Sequence, residues 1–315
     1  MSLALAMIVG GLVGLFVGAH ALIKGAAALA RRVGMSPLVV GLTVVAGGTS
    51  SPELFVVVGS ALAGRDGISL GNVFGANSLN IGLILGLTAL VSPLQAQLQL
   101  IRFDVPIMIL ASLVVAAFIM DGDLARLEGG ILTAALVAYL ALTVYLARRE
   151  RSAHVREEFA AVVPRPLASP AAELGLIAVG LAALALGAQS LIFGAVRIAG
   201  AVGMTDSMIG ITVVAAGTTL PELITCVVAA LKREGDIAIG NIIGSNIFNL
   251  LGVLGLAAVI APIDATGVRP VEVWGAVVLA GLSLPVMWRG LIVNRAEGAL
   301  LVAAYLVYLM IVLRG

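Results

Sequence analysis

The chain has 315 residues, of which 61% are hydrophobic and only 11% charged, with 38 glycines and a formal net charge of +1. Soluble domains carry about a quarter charged residues, so this composition excludes a water-soluble globular fold; the net charge of +1 adds nothing about partners, and no nucleic-acid partner is expected. A single cysteine, Cys226, excludes an internal disulfide and a multi-cysteine metal cluster, and its apolar neighbours read as packing.

A membrane-spanning helix needs about 20 mostly apolar residues. Runs of that kind lie near 3–30, 37–62, 69–92, 103–120, 126–147, 171–199, 206–231, 238–261, 271–288 and 293–313. The expected fold is therefore an all-α polytopic membrane protein of ten transmembrane helices. The first run lacks a preceding basic residue and is too long for a signal-peptide core, so it reads as a retained helix. Straight, the second run would measure about 39 Å at 1.5 Å per residue, more than the roughly 30 Å hydrocarbon core. A break is expected at Gly47, Gly48, Thr49, Ser50, Ser51 and Pro52, freeing backbone carbonyls near Ala46 and Thr49. The third run carries Asn72, Asn77 and Asn80. Residues 148–170, with Pro164, Pro166, Pro170 and mixed charge, read as a short cytoplasmic linker. The seventh run repeats the break at Ala216, Gly217, Thr218, Thr219 and Pro221, with freed carbonyls near Ala215 and Thr218, and the eighth carries Asn241, Ser245, Asn246 and Asn249.

These similarities form a repeat. Residues 40–94 align without a gap onto 209–263 at a constant offset of 169, and 24 of the 55 pairs are identical, including Glu53 with Glu222, Asn72 with Asn241 and Asn80 with Asn249. Five spans separate the two starts, so the second copy enters the membrane from the opposite side. The expected organisation is two inverted five-helix repeats, 1–147 and 171–315, joined by the linker. Inverted halves with broken helices are the signature of secondary transporters, whose substrate site lies at the repeat interface. With the N-terminus outside, twelve Lys and Arg fall in inner loops and five in outer ones, so both termini are expected outside.

Glu53 and Glu222 fall near the middle of their spans, and the other acidic residues are assigned to loops or helix ends. A charge at such depth is costly and marks a functional site by default. With no Lys or Arg at the same depth in these repeats, two carboxylates together would hold a divalent cation, monovalent cations or a proton. The oxygen-only surroundings suit calcium, whereas zinc or copper would want His or Cys. Helical spacing lets Ser245 and Asn249 share one face, and Ala76 and Asn80 another. Against this stands hydrogen-bond glue between helices for the asparagines, the stronger reading for Asn72 and Asn241, and a protonated carboxyl for each glutamate. No HExxH or Ser/His constellation suggests an enzyme, and saturable countertransport would separate a carrier from a channel.

At GGTSSPE and GNVFGANSLN, repeated as AGTTLPE and GNIIGSNIFN, the chain resembles the cation/calcium antiporter superfamily, specifically its prokaryotic sodium/calcium exchangers. The resemblance covers nearly the whole chain. It implies exchange of sodium for calcium by alternating access, with the first and sixth helices sliding over a rigid core; the lack of a targeting sequence and of a large cytoplasmic regulatory loop makes a prokaryotic plasma membrane the expected location. Calcium and sodium are then cargo, with no resident cofactor and no obligate protein partner. It implies a site of Glu53 and Glu222, side-chain and backbone oxygens of Thr49, Ser50, Thr218 and Thr219, backbone oxygens of Ala46 and Ala215, and Ser245, Asn80 and Asn249. The chain departs from the family at Ala76, where a Ser ligand is usual; the position of Asn249 is Asp in some members and Asn in others, and with Asn80 opposite the site here has two formal negative charges. A calcium/proton exchanger using the same glutamates is the alternative.

Overall fold

The computed structural model describes residues 2–149, 169–201 and 215–314, and apart from four two-residue strands every regular element in them is helical. In chain order these are α1 (Ser2–Val33), a bent span of α2 (Pro37–Thr49) and α3 (Ser51–Leu62), α4 (Asp66–Val91), β1 (Leu94–Gln95), α5 (Leu100–Asp121), β2 (Asp123–Leu124) and α6 (Arg126–Arg149). There follow α7 (Pro170–Ala201), α8 (Ala215–Thr218), α9 (Leu220–Leu231), α10 (Gly235–Ile260), β3 (Ile263–Asp264), α11 (Pro270–Trp288), β4 (Ile292–Val293) and α12 (Arg295–Arg314).

Among the described residues, eight helices are long and apolar enough to cross a membrane, and the α2–α3 pair makes a ninth. Of the expected seventh span, 206–214 lies outside the described residues and α8 with α9 make up the rest; most of the expected linker also lies outside them. Leucines, valines and phenylalanines such as Leu5, Phe16, Phe55, Leu110, Val137, Leu186 and Leu306 face outward with about half or more of their surface exposed. An apolar exterior of this extent is stable only where lipid replaces water, because the backbone groups are satisfied within the helices.

The longest helices, α1 and α7, pack against each other antiparallel along glycines spaced seven apart: Gly11, Gly18 and Gly25 on one, Gly180, Gly187 and Gly194 on the other. A Cβ at Gly18 would lie 2.8 Å from the Leu184 nitrogen, and one at Gly180 would lie 2.6 Å from that of Leu22. Only the missing side chains allow this approach, the usual device where helices associate without a hydrophobic driving force. An ion pair closes one end of the contact, where Arg32 Nε lies 2.7 Å from Oε2 of the buried Glu173.

Beside this pair, α4 and α10 form the most enclosed part of the bundle. Their walls are closed by two antiparallel ribbons, each joining a strand of the first half to one of the second: β1 with β4 (Leu94 opposite Val293) and β2 with β3 (Leu124 opposite Ile263). Adding 169 to Leu94 gives Ile263, and adding it to Leu124 gives Val293, so one ribbon is the image of the other. Helices α3 and α9 correspond at the same offset at both ends, as do the last turns of α4 and α10.

The glycine contact yields a stability test. Gly18→Leu should destabilise the protein by about 1–3 kcal/mol through overpacking against backbone. Gly10→Leu, where a Cβ meets nothing within 4 Å, should leave it unchanged. Thermal unfolding in detergent separates the two.

Candidate cation site

The site is built from the two helix breaks and the two helices that cross them. Pro52 supplies no N–H to the carbonyl four residues earlier, Gly48. The chain responds by bending 45° between α2 and α3, with Ser50 at φ −79° and ψ 5° as the joint. In the second half Thr219 takes φ −90° and ψ 0° at the matching joint, before Pro221. Each proline thus occupies the second residue of a new helix and puts its glutamate, Glu53 or Glu222, in that helix's first turn. There the N-terminal end of the helix favours negative charge.

The bend is a joint rather than an unwound stretch, which corrects one expectation. The Ala46 carbonyl is not freed: it accepts the Ser50 N–H at 3.0 Å, and the Thr49 hydroxyl lies 3.3 Å from it. A carbonyl keeps a second lone pair when it accepts one bond. A π-helical turn over Gly41–Val45 loosens the same helix just before the joint. Ala215 begins α8, and Thr218 ends it.

Glu53 and Glu222 are each 1% exposed. The two carboxyl groups are near enough to act on each other electrostatically, and no salt bridge reaches either one among the described residues. Ser50 Oγ donates to Glu222 Oε1 at 3.3 Å, a contact from the first half to the second. Glu222 Oε2 and both oxygens of Glu53 have no hydrogen-bond partner. In the same condition are the buried Ser245 Oγ, Asn80 Oδ1 and Asn249 Oδ1. Six buried oxygens without a donor are a concentration that a folded core does not tolerate without a compensating positive charge.

Packing draws these groups together crosswise. Helix α3, bearing Glu53, lies on the π-helical turn Phe248–Val253 that contains Asn249, and α9, bearing Glu222, lies on the π-helical turn Asn80–Ile84. Hydrogen bonds then fix the frame. Asn249 Nδ2 donates to Asn77 Oδ1 at 3.0 Å, and Asn77 Nδ2 donates to the Asn246 carbonyl at 3.3 Å. Thr49 Oγ1 lies 3.0 Å from Asn241 Oδ1, whose amide nitrogen donates to Cys226 Sγ at 3.3 Å. Asn241 is thus the interhelical link expected of it, and Cys226 is buried in packing. Thr218 and Thr219 are buried at the second joint. Ala76, buried opposite Ser245 in the repeat, brings no oxygen.

The surroundings are not symmetric. Helix α1 lies along α9, whereas among the described residues α7 has no comparable packing on α3. Val228 on α9 is buried, while a Cβ at its counterpart Gly59 would meet open space. Beyond the end of α9, Lys232 Nζ donates to the His20 carbonyl of α1 at 3.2 Å. Burial first, and then Lys24, lower the Lys232 ammonium's affinity for its proton, while burial and Asp236 raise that of the Glu234 carboxylate.

Two linkages were not foreseen. One is the Asn77–Asn249 bond, which joins residues 172 apart in the chain. The other is the burial of Asp104, assigned to a helix end from the sequence but 2% exposed and bonded to Tyr139 at 2.9 Å. Its signal was an acidic residue inside the apolar run Ile101 to Leu110.

The fold thus defines an all-α polytopic membrane protein with a buried, oxygen-lined centre. The family model for the sodium/calcium exchanger protein matches residues 3–145 and 172–314. A putative antiporter, CaxA of Alkalimonas amylolytica, is 40% identical over 95% of both chains. The inner membrane protein YrbG of Escherichia coli is 35% identical over 98% of this chain and 96% of its own. Among solved structures, the sodium-calcium exchanger NCX_Mj soaked with Na+ and Sr2+ is 30% identical, covers 98% of both chains and superposes with a TM-score of 0.86. This chain belongs to the sodium/calcium exchanger family, within the cation/calcium antiporters.

The Thr49–Asn241 contact predicts that Thr49→Val, which strands a buried amide oxygen, lowers stability by about 1–3 kcal/mol, while Thr49→Ser stays near wild type. Calorimetry of the purified variants measures the difference.

Proposed function

We propose that this protein is a secondary active antiporter that exchanges sodium for calcium by alternating access, with Glu53 and Glu222 as the central ligands. The observation that carries the reading is the set of six buried, donorless oxygens contributed by Glu53, Glu222, Asn80, Asn249 and Ser245. Calcium takes six to eight oxygens in flexible geometry, and two carboxylates supply the charge that makes a dehydrated divalent ion stable there. Thr49, Ser50, Thr218 and Thr219, with the backbone oxygens of Ala46 and Ala215, complete the set on either side. Sodium would take over the same oxygens once calcium leaves, so the carboxylates need a cation in every resting state of the cycle.

Ten spans in two inverted halves, 1–147 and 171–315, with 148–170 between them, are the arrangement in which such a cycle is built. The 169-residue correspondence of ribbons, joints and helix ends supports it. The unequal cover over α9 and α3 supports one access path closed by α1 while the other, beside α3, stands open. The excess of Lys and Arg in one set of loops supports both termini outside the cytoplasm. The location of the Escherichia coli relative supports a prokaryotic inner membrane.

A calcium/proton exchanger using the same glutamates is the second reading, favoured by one observation: Ala76 removes an oxygen from the position matched by Ser245. The deciding experiment is ⁴⁵Ca²⁺ uptake into proteoliposomes loaded with Na+ or K+ at matched pH. The proposal expects uptake that requires the outward Na+ gradient and falls at least about 100-fold in Glu53→Gln and in Glu222→Gln, the scale of losing one charge from a buried ion site. Uptake driven by a proton gradient without sodium establishes the second reading, and uptake indifferent to both substitutions removes the glutamates from the mechanism. Restoring the missing oxygen with Ala76→Ser should lower the internal Na+ concentration needed for half-maximal uptake.

A further inference from the structure

A second carboxyl is buried away from the central glutamates. Asp104 closes the π-helical turn Leu100–Asp104 at the start of α5 and is 2% exposed. Its Oδ1 accepts the hydroxyl of Tyr139 from α6 at 2.9 Å, while its Oδ2 is buried without a partner. Arg102 and Phe103, next to it in sequence, are exposed, so the group lies one turn from the surface.

No cation accounts for this carboxyl among the described residues, where the only ion pairs join Arg32 to Glu173 and Arg269 to Glu272. Besides α5 itself and α6, the turn packs on α10 and α11. Helix α10 carries one ionisable side chain, Asp236, which already accepts from Gln97 at 2.8 Å. Helix α11 carries one, Glu272, held by Arg269 in its first turn. On α6 the ionisable groups are Arg126, Glu128, Tyr139, Tyr145, Arg148 and Arg149. Of these Tyr139 reaches Asp104, and Glu128 caps its own helix by accepting the Ala125 N–H. Below the turn α5 carries only Asp121, at its far end, and the nearest hydroxyl on it, Ser112, donates to the Met108 carbonyl at 2.9 Å. One phenol oxygen and one carboxyl fall far short of the six or more oxygens calcium takes.

The repeat argues that packing alone does not call for the acid. At the 169-residue offset Tyr139 corresponds to Tyr308, but Asp104 corresponds to Val273. The second half makes the same corner with a buried valine, and the Tyr308 hydroxyl turns to the Glu272 carbonyl at 3.5 Å. A carboxyl present in one half only, held by one neutral donor and open at its other oxygen, has room for one ligand. We infer that Asp104, positioned by Tyr139, is a proton-binding site of this exchanger, separate from the central glutamates. The turn that carries it abuts α10, the helix of Asn241, Ser245 and Asn249, so proton exchange there would act on the frame of the cation site.

Infrared spectroscopy of the reconstituted full-length protein tests this without relying on transport. Over roughly pH 5 to pH 9, the interval in which a buried carboxyl can exchange its proton, a protonated-carboxyl C=O band should titrate. It should vanish in Asp104→Asn, shift in frequency and midpoint in Tyr139→Phe, and persist in the Glu53→Gln/Glu222→Gln double variant. A band that does not titrate, or the absence of any band sensitive to Asp104→Asn, overturns the inference. If Asp104→Asn does not yield monodisperse protein, Tyr139→Phe decides, because an unmoved band there overturns it equally.

Discussion

The structure depends on one electrostatic constraint: two carboxylates sit in the centre of a lipid-facing bundle, and the described residues offer no basic side chain to neutralise them. Burying an isolated ionised carboxylate costs several kcal/mol even after relaxation. That penalty is useful only if the compensating charge is meant to come and go. Asn77, Asn246 and Asn249 are bonded to each other and to backbone carbonyls rather than to the carboxylates, so they shape the cavity while leaving glutamate lone pairs uncommitted. Had Asn249 donated to Glu53 instead, the site would be quieter and less dependent on an ion.

The helix breaks serve the same constraint. Proline in the second position of α3 and of α9 costs nothing in hydrogen bonds, because the first-turn N–H groups of a helix have no intrahelical partner in any case. The first turn of each new helix holds its glutamate at the helix's positive end, which offsets part of its charge. Sharp bends, new helix starts and acidic residues therefore arrive as one package in each half.

Much of this was legible from residues 40–94 and 209–263, because polar identities such as Asn72 with Asn241 survive in a background where apolar ones mean little. What escaped notice involved contacts between distant spans or signals too short for periodicity. A two-residue strand has no pattern to detect, so both ribbons were invisible. The role of the glycines at 11, 18 and 25 depends on α7 lying against them, a contact that sequence spacing within α1 alone does not show. The missing N–H of Pro52 removes the i+4 donor of Gly48 and leaves the Ala46 carbonyl bonded to the Ser50 N–H, a register that the motif as a whole does not convey. Asp104 was placed by distance along its span, which says nothing of whether α6 covers it.

The paired ribbons bear on how such a chain can change over time. Each takes one strand from each half, in a register where Leu94 meets Val293 and Leu124 meets Ile263. This is the reciprocity of an isologous contact, in which patch i meets j and j meets i, here folded into a single polypeptide. In a dimer of identical subunits every substitution appears twice, so a lone acid in one corner is unattainable. Covalent fusion lifts that restriction while the ribbons keep the two-fold frame. Asp104 facing Tyr139, with Val273 in the opposite corner, is the kind of one-sided specialisation that only a fused pair can acquire.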